Sequence, residues 1–150
     1  MTDFLTELET DPPLARKRVR YAAAIIDYII FFAAFGFIAV TLGESYTTDE
    51  GTVKYSVEGW PAVGLFVVWF FIFPLLESLN GQTVGKMLCK IKVVKADYSK
   101  ASLKNTFARH FFDFIDNFPF LGIVGLIVAS NNNLKQRVGD LVGKTVVIQK

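Results

Sequence analysis

Two long apolar runs dominate the pattern of hydrophobic and polar positions. The first covers 21–42 and is interrupted by one charge, Asp27, and the second covers 60–76 without a charge. As helices that rise about 1.5 Å per residue, they would be roughly 33 Å and 26 Å long, against a bilayer core of about 30 Å. The pattern therefore predicts transmembrane helices at about 20–42 and 60–79.

Two shorter segments have the pattern of β-strands. Residues 87–95 alternate between two faces, and 145–149 are rich in β-branched side chains. Because a single strand is unstable alone, the two are predicted to pair with each other. Pairing requires both strands to lie on the same side of the membrane.

An amphipathic helix is predicted at 103–117. Its polar positions are spaced four, four and three residues apart, so that they share one stripe: Asn105, Arg109, Asp113 and Asp116. Pro119 follows, and 118–129 supply only 12 apolar residues, too few for a comfortable span.

Two arrangements of this region remain open. Either a short hairpin or re-entrant helix at about 118–130 returns to the side it left, or 109–129 form one crossing that contains several ionisable groups. The basic residues of the tail favour the first arrangement, since basic residues concentrate in the cytoplasm. They are Lys135, Arg137, Lys144 and Lys150.

The composition is that of a membrane protein. The 150 residues are 52% hydrophobic and include 15 Phe, a content unusual for a soluble domain. No cleavable signal is predicted, because the acidic first 13 residues contain no apolar stretch. The single cysteine, Cys89, allows no internal disulfide.

Charge is distributed unevenly about the two apolar runs. Residues 43–59, between them, contain four acids and one base, whereas 16–20 contain four basic residues and 86–109 contain seven basic residues and one acid. Positive charge favours the cytoplasmic side. We therefore expect a multi-pass protein of the cell membrane with 43–59 outside and both the N-terminus and the C-terminus in the cytoplasm.

The predicted fold class is an all-α membrane protein. It has two transmembrane helices, an amphipathic helix, a short re-entrant or hairpin helix and a small cytoplasmic β-ribbon. Residues 1–15 are predicted to be a flexible polar tail, 16–150 to be the membrane domain, and 131–150 to be its cytoplasmic tail and second strand.

Ionisable residues in or beside the apolar segments form the candidate site. An unpaired aspartate in the bilayer core costs about 2.5 kcal/mol or more, and Arg20, seven residues before Asp27 on the same helix face, is its predicted partner. Either the acids exchange a proton for a cation, or the arginines neutralise them and fix helix packing. The acids are Asp27, Glu77, Asp113 and Asp116, and the arginines are Arg20 and Arg109.

Two other motifs are assigned no function. Gly81–Lys86 invites comparison with a phosphate-binding loop, but its glycines are one residue too close and Met87 replaces the required Ser or Thr, so a tight turn at the membrane exit is predicted. His110 has no Cys/His cluster, so no metal site is predicted and its ring is expected to face water or headgroups. Without a nucleophile signature, neither an enzyme nor a cofactor is expected.

A longer pattern brings many of these residues together. Its members are, in chain order, Arg20, Ala23, Ile26-Asp27, Glu77-Ser78, Gly81–Lys86, Ile91–Val94, Arg109, Ile115-Asp116 and Gln136–Val147. Over roughly 16–150, this pattern closely resembles the RDD family of small membrane proteins. The family is named for an arginine and two aspartates. By resemblance the arginine is Arg20, the first aspartate is Asp27, and the second is Asp116 or Asp140.

The resemblance implies a multi-helix protein of the cytoplasmic membrane. Transport has been suggested for the family, with sodium/proton exchange for some members, while others serve in larger membrane assemblies. In this pattern Arg137 and Asp140 are placed to link the tail to the membrane helices. Lys144 departs from the pattern, in which a small residue is more usual.

Two functions follow as expectations. In the first, the protein transports a small cation, Na+ or H+, with Asp27 and Asp116 binding it, Glu77 assisting, and the two arginines tuning them. In the alternative, it is a non-catalytic interaction or assembly subunit of a membrane complex. Because two helices cannot enclose a pathway, a homo-oligomer or larger complex is expected. Membrane lipids are expected as further partners, and nucleic acid is not.

Overall fold

The structure is a computed structural model that describes residues 12–117 and 123–150. Within these ranges, the side chains of 113–117, 123, 124 and 126 are not described. The chain forms six helices and four strands over the described ranges.

Two long helices confirm the two apolar runs as helical. Helix α1 is Lys17–Leu42 and α2 is Trp60–Asn80, and both are long and apolar enough to cross a membrane. In each helix, only 17% of the residues in an apolar stretch of 18 residues are buried inside the protein. The core helix of a soluble protein would be mostly buried, whereas these two helices expose apolar surface of the kind that marks an interaction site.

Helix α2 contains a π-helical segment, Phe71–Leu75, around Pro74. Proline has no N–H to donate to the usual backbone hydrogen bond, and the wider π-helical turn accommodates the missing bond. The buried Thr106 hydroxyl donates to the Pro74 carbonyl at 2.9 Å, which satisfies that oxygen. The segment lies just before Glu77, so it helps to orient the buried Glu77 side chain.

The loop between the long helices forms a β-hairpin. Strands β1 (Glu44–Thr47) and β2 (Val53–Ser56) are antiparallel, with Gly51 at φ 76° in their turn. The sequence prediction treated 43–59 only as an external loop. It missed the strands because they are only four residues long and their side chains are largely exposed.

The predicted pairing of the two other strands is confirmed. Strand β3 (Ile91–Lys95) is antiparallel to β4 (Thr145–Gln149), with Val93 opposite Val147. The predicted start of β3 at Met87 was wrong: helix α3 (Val84–Leu88) occupies that segment, and Lys90 then turns the chain at φ 54°.

The residues before α1 extend this ribbon. The Ala15 N–H donates to the Val147 carbonyl at 2.9 Å, and the Gln149 N–H donates to the Pro13 carbonyl at 2.8 Å. Pro13 and Ala15 were predicted to belong to a flexible tail. They are instead tied to β4, and a small core forms where α1 meets the ribbon: Ala15, Ala23, Ile91, Val93 and Val147.

Three further helices complete the fold. Helix α4 (Leu103–Asn117) begins at the predicted residue and is helical up to Asn117, where the first described range ends; α5 is Ile123–Ser130, and α6 is Val138–Gly143. The predicted residues 118–122 of the short helix lie outside the described residues.

The region of α4 and α5 begins and ends near the ribbon. Lys100 bridges to Val94 of β3, and the Ser130 hydroxyl accepts a 2.7 Å hydrogen bond from Lys17 at the start of α1. Both ends of 103–130 therefore lie at the same end of the α1/α2 pair, where α1 begins and α2 ends.

Candidate functional site

Glu77 is the most deeply buried charge of the described residues. It is 0% exposed, in the last turns of α2, and forms an ion pair with Lys86 of α3. Arg109 of α4 donates from Nη1 to Glu77 Oε1 at 2.6 Å, and His110 Nε2 lies 3.3 Å from the same oxygen. Glu77 thus joins three helices.

Asp140 is the second hub. This residue of α6 is 1% exposed, forms an ion pair with Arg20, and accepts from Arg109 Nε at 2.6 Å and from the Arg137 N–H at 3.0 Å. Burial alone would raise the pKa of the Asp140 carboxyl, but the charges of Arg20 and Arg109 outweigh it and hold the pKa well below its ordinary value. Asp140 therefore stays ionised at neutral pH.

The predicted partner of Asp27 was wrong. Arg20 forms an ion pair with Asp140, and its Nη1 also donates to the Lys135 carbonyl at 2.5 Å. Seven residues separate Arg20 from Asp27, roughly 10.5 Å along a helix, and α6 brings a carboxylate closer than that.

Asp27 is held by two neutral donors. The Thr83 hydroxyl donates to Oδ2 at 2.5 Å and the Gly85 N–H donates to Oδ1 at 2.7 Å. The carboxylate is only 2% exposed. None of the ion pairs among the described residues includes Asp27, so it differs in kind from Glu77 and Asp140.

Gly85 allows this contact. A Cβ on Gly85 would lie 2.1 Å from the Ala23 carbonyl oxygen and 2.9 Å from Asp27 Cγ. Only glycine lets α3 approach α1 closely enough for the Gly85 N–H to reach the carboxylate. The turn predicted at 81–86 is thus also the binding segment for Asp27.

Sequence reasoning missed two members of this network, Lys86 and His110. Lys86 is buried, and that burial lowers the pKa of its ammonium group against the opposing effect of Glu77. The expectation that His110 faces water or headgroups was wrong, since it is 5% exposed and its ring centroid lies 5.5 Å from that of Phe73. The glycine-rich pattern at 81–86 was the sequence signal that could have pointed to Lys86.

The described charges of the network balance. The basic side chains Arg20, Lys86 and Arg109 face the carboxylates of Asp27, Glu77 and Asp140. Buried ions need such compensation, because an unpaired one retains a desolvation cost of several kcal/mol. The network connects α1, α2, α3, α4 and α6, so it fixes their packing.

Besides Asp27, three predicted residues lie outside the described ion pairs. The side chains of Asp113 and Asp116 lie outside the described residues. The Arg137 guanidinium stacks on the ring of Tyr21, 4.9 Å from its centroid, while its backbone N–H binds Asp140. The predicted link from the tail to the membrane helices is therefore made by Asp140 through Arg20 and Arg109.

A small cavity opens beside Asp27. Its volume is about 40 Å³, enough for a few water molecules, since one needs roughly 10–15 Å³ by this measure. Phe73, Tyr28 and Ala24 line its apolar part. Its polar wall consists of Arg20, Asp27, Lys86, Arg109, His110 and Arg137.

Comparison with known families decides the identity of this arrangement. The RDD family model matches residues 14–144, which include every residue of the network. The chain belongs to the RDD family. No curated protein and no solved structure matches it. RDD membership and the two exposed apolar helices together indicate a membrane location.

The structure shows the backbone at Lys144 and separates the two candidate aspartates. Lys144 ends α6 in a left-handed conformation, φ 52°, where glycine is favoured. Asp140 contacts the family arginine Arg20 directly, whereas the Asp116 side chain lies outside the described residues. Within the described structure, the RDD arginine thus meets Asp140.

No group of three His, Cys, Asp or Glu residues that could hold a metal ion occurs among the described positions. Glu77 and Asp140 already have basic partners at both carboxylate oxygens. The arrangement instead provides one carboxylate, Asp27, whose partners are neutral and which borders a space of water size.

Proposed function

We propose that the protein is a multi-pass protein of the cell membrane that moves protons, alone or coupled to another small ion, through Asp27. The single observation that carries the proposal is that Asp27 is buried in a candidate transmembrane helix, lacks an ion-pair partner among the described residues, and lines a cavity of water size. A carboxylate of that kind marks an ion or proton pathway.

The size and charge of the cavity narrow the transported species. At about 40 Å³ it is far smaller than the roughly 300–1,000 Å³ of pockets for organic ligands. Basic side chains form most of its polar wall and Asp27 is the one carboxylate in its described lining, so the wall offers a sodium ion few oxygen ligands, whereas a proton needs only the carboxylate itself. A proton therefore suits the site better than Na+.

Both ends of the chain are proposed to be cytoplasmic. The ribbon end carries the basic residues that begin α1, and the hairpin end carries the acids Glu44, Asp49 and Glu50. Residues 103–130 begin and end near the ribbon. These observations support a re-entrant region over a third crossing.

Cysteine labelling tests this topology. In a Cys89→Ala background, a membrane-impermeant maleimide should label Asp49→Cys in intact cells, but label Ala96→Cys and Asn133→Cys only after lysis. All three positions are exposed in the structure. Labelling of Asn133→Cys from outside would establish a crossing at 103–130, and labelling of Asp49→Cys and Ala96→Cys from one side would refute the α1/α2 hairpin.

An oligomer is part of the proposal. Two crossing helices do not enclose a pathway, and large apolar side chains such as Phe32, Phe37 and Phe66 are more than half exposed. We propose that copies of the chain, or a larger membrane complex, cover part of this surface.

The second candidate function is an assembly subunit. It is favoured by the complete pairing of Glu77 and Asp140, which locks five helices together without leaving either carboxylate for an ion. In that case Asp27 would serve the same purpose by fixing α3 on α1.

Proteoliposome flux separates the two functions. With an imposed pH gradient, wild-type protein should carry protons into vesicles that contain a pH-sensitive dye, and Asp27→Asn should abolish that flux. The amide keeps the size of the carboxylate, and the Thr83 hydroxyl can turn to accept, so folding should survive. Asp49→Asn, at the exposed hairpin turn, should retain full flux.

Assembly and sodium flux are measured on the same samples. Equal size-exclusion profiles of the wild type and Asp27→Asn would show that lost flux is not lost structure. Wild-type vesicles that move neither protons nor sodium, with an Asp27→Asn variant that fails to assemble, would refute transport and leave the assembly role. Sodium uptake that persists in Asp27→Asn would refute the role of this carboxylate.

A further inference from the structure

A second feature lies at the ribbon end, outside the charge network. An open cleft of about 400 Å³ is lined by Gln82, Met87, Lys90 and Lys150. It lies just after α2 ends at Gly81, which closes the helix with a 2.7 Å hydrogen bond to the Glu77 carbonyl. Because α2 is a candidate membrane span, this cleft is placed at the level where a bilayer's headgroups would begin.

Exposed apolar side chains flank this position along the chain. Leu79 in the last turn of α2 is 57% exposed, and Met87 and Leu88 of α3 are 43% and 67% exposed. They continue the exposed apolar surface of α2 beyond the point where the helix ends. Such a surface is stable in contact with acyl chains rather than with water.

Two exposed lysines line the cleft as well. Lys90 and Lys150 are both exposed, and the Lys150 N–H donates to the Lys90 carbonyl at 2.8 Å, which holds the two residues together. Neither lysine takes part in an ion pair of the described structure. Among the described residues, the exposed acid Asp97 follows the far end of β3.

Lys90 has an unusual backbone for a lysine, with φ 54°. Asparagine and glycine adopt this left-handed conformation more readily. The conformation turns the chain from α3 into β3 at the edge of the cleft, and it fixes the direction of the Lys90 Cα–Cβ bond. The lysine side chain therefore starts at the cleft.

We infer that this cleft binds the headgroup of an anionic phospholipid, with the phosphate between Lys90 and Lys150 and an acyl chain beside Met87 and Leu88. The arrangement matches both halves of such a molecule: positive charge at headgroup level and apolar surface directly towards the bilayer. The inference stands independently of proton transport, because none of these residues lines the cavity at Asp27.

Native mass spectrometry of the full-length protein tests the site. From mixed micelles of phosphatidylglycerol and phosphatidylcholine, the wild type should retain phosphatidylglycerol preferentially. The variant Lys90→Asn/Lys150→Gln should bind it about 25-fold more weakly, at about fivefold per lysine. Asparagine is chosen at position 90 because it tolerates the left-handed backbone.

The matched control is Lys144→Asn/Lys104→Gln. It also removes two exposed lysines, one of them left-handed at φ 52°, but neither lines the cleft. It should retain wild-type phosphatidylglycerol binding. A Leu88→Gln variant should lower retention of the intact lipid while leaving any binding of inorganic phosphate unchanged, which separates a lipid site from a site for free phosphate.

Three results would overturn the inference. Equal retention of the two lipids by the wild type would show no headgroup selectivity. An equal loss in the control variant would show that only total charge matters. Phosphate that competes fully with the lipid, together with no effect of Leu88→Gln, would assign the cleft to a free anion.

Discussion

The Glu77→Gln variant is expected to lose about 3–5 kcal/mol of folding free energy, because it leaves Lys86 and Arg109 buried without the charge that compensates them. The melting temperature in detergent, followed by tryptophan fluorescence, should fall by about 10 °C or more. Glu44→Gln, on the exposed hairpin, should change the free energy of unfolding by less than about 0.5 kcal/mol.

A double variant separates loss of charge balance from loss of a side chain. Glu77→Gln/Lys86→Met removes one charge of each sign, so it should be less destabilised than the sum of the two single variants, by a coupling of about 0.5–3 kcal/mol. Additive effects, or a Glu77→Gln variant as stable as Glu44→Gln, would show that the ion pairs do not hold the helices together.

The Gly85→Ala variant is expected to have the second largest effect. Its methyl group would meet the Ala23 carbonyl oxygen at 2.1 Å and Asp27 Cγ at 2.9 Å, so α3 must move away from α1. Overpacking of this kind costs about 1–3 kcal/mol or more. It also lengthens the hydrogen bond from the Gly85 N–H to Asp27, so proton flux should fall together with the melting temperature.

Gly64→Ala is the matched control. A Cβ on this glycine of α2 meets nothing within 4 Å, and alanine is the better helix former by about 1 kcal/mol. The control should be as stable as the wild type or more stable. If Gly85→Ala behaves like Gly64→Ala in both the melting temperature and the flux, the close contact between α1 and α3 does not position Asp27.

These experiments address different parts of one site. Glu77 and Asp140 have basic partners at both oxygens and are expected to respond as structural groups. Asp27 has neutral donors and borders the cavity, so it is expected to respond in flux before it responds in stability. A variant of Asp27 that unfolds as readily as Glu77→Gln would place all three carboxylates in the same structural class.

Local signals were sufficient for much of the fold. Helix α4 begins at the predicted residue, Leu103, because its amphipathic pattern extends over four turns. The start of β3 was misplaced because Met87 and Cys89 fit the alternation of a strand, although α3 continues to Leu88. Short helices and four-residue strands depend on tertiary contacts more than on their own pattern, and the hairpin at 44–56 was missed for the same reason.

Length, periodicity and motif order are properties of the chain alone, and they were enough to predict the two apolar helices, the amphipathic α4, the paired strands and the RDD pattern. The apolar surroundings of Arg20, Asp27, Glu77 and Arg109 also marked them as charges that need compensation. Their partners, however, follow from the packing of the folded chain. Arg20 meets Asp140, which lies 120 residues away, and Asp27 meets Thr83, 56 residues away, because a buried charge is compensated by whatever the packed helices bring nearest in space.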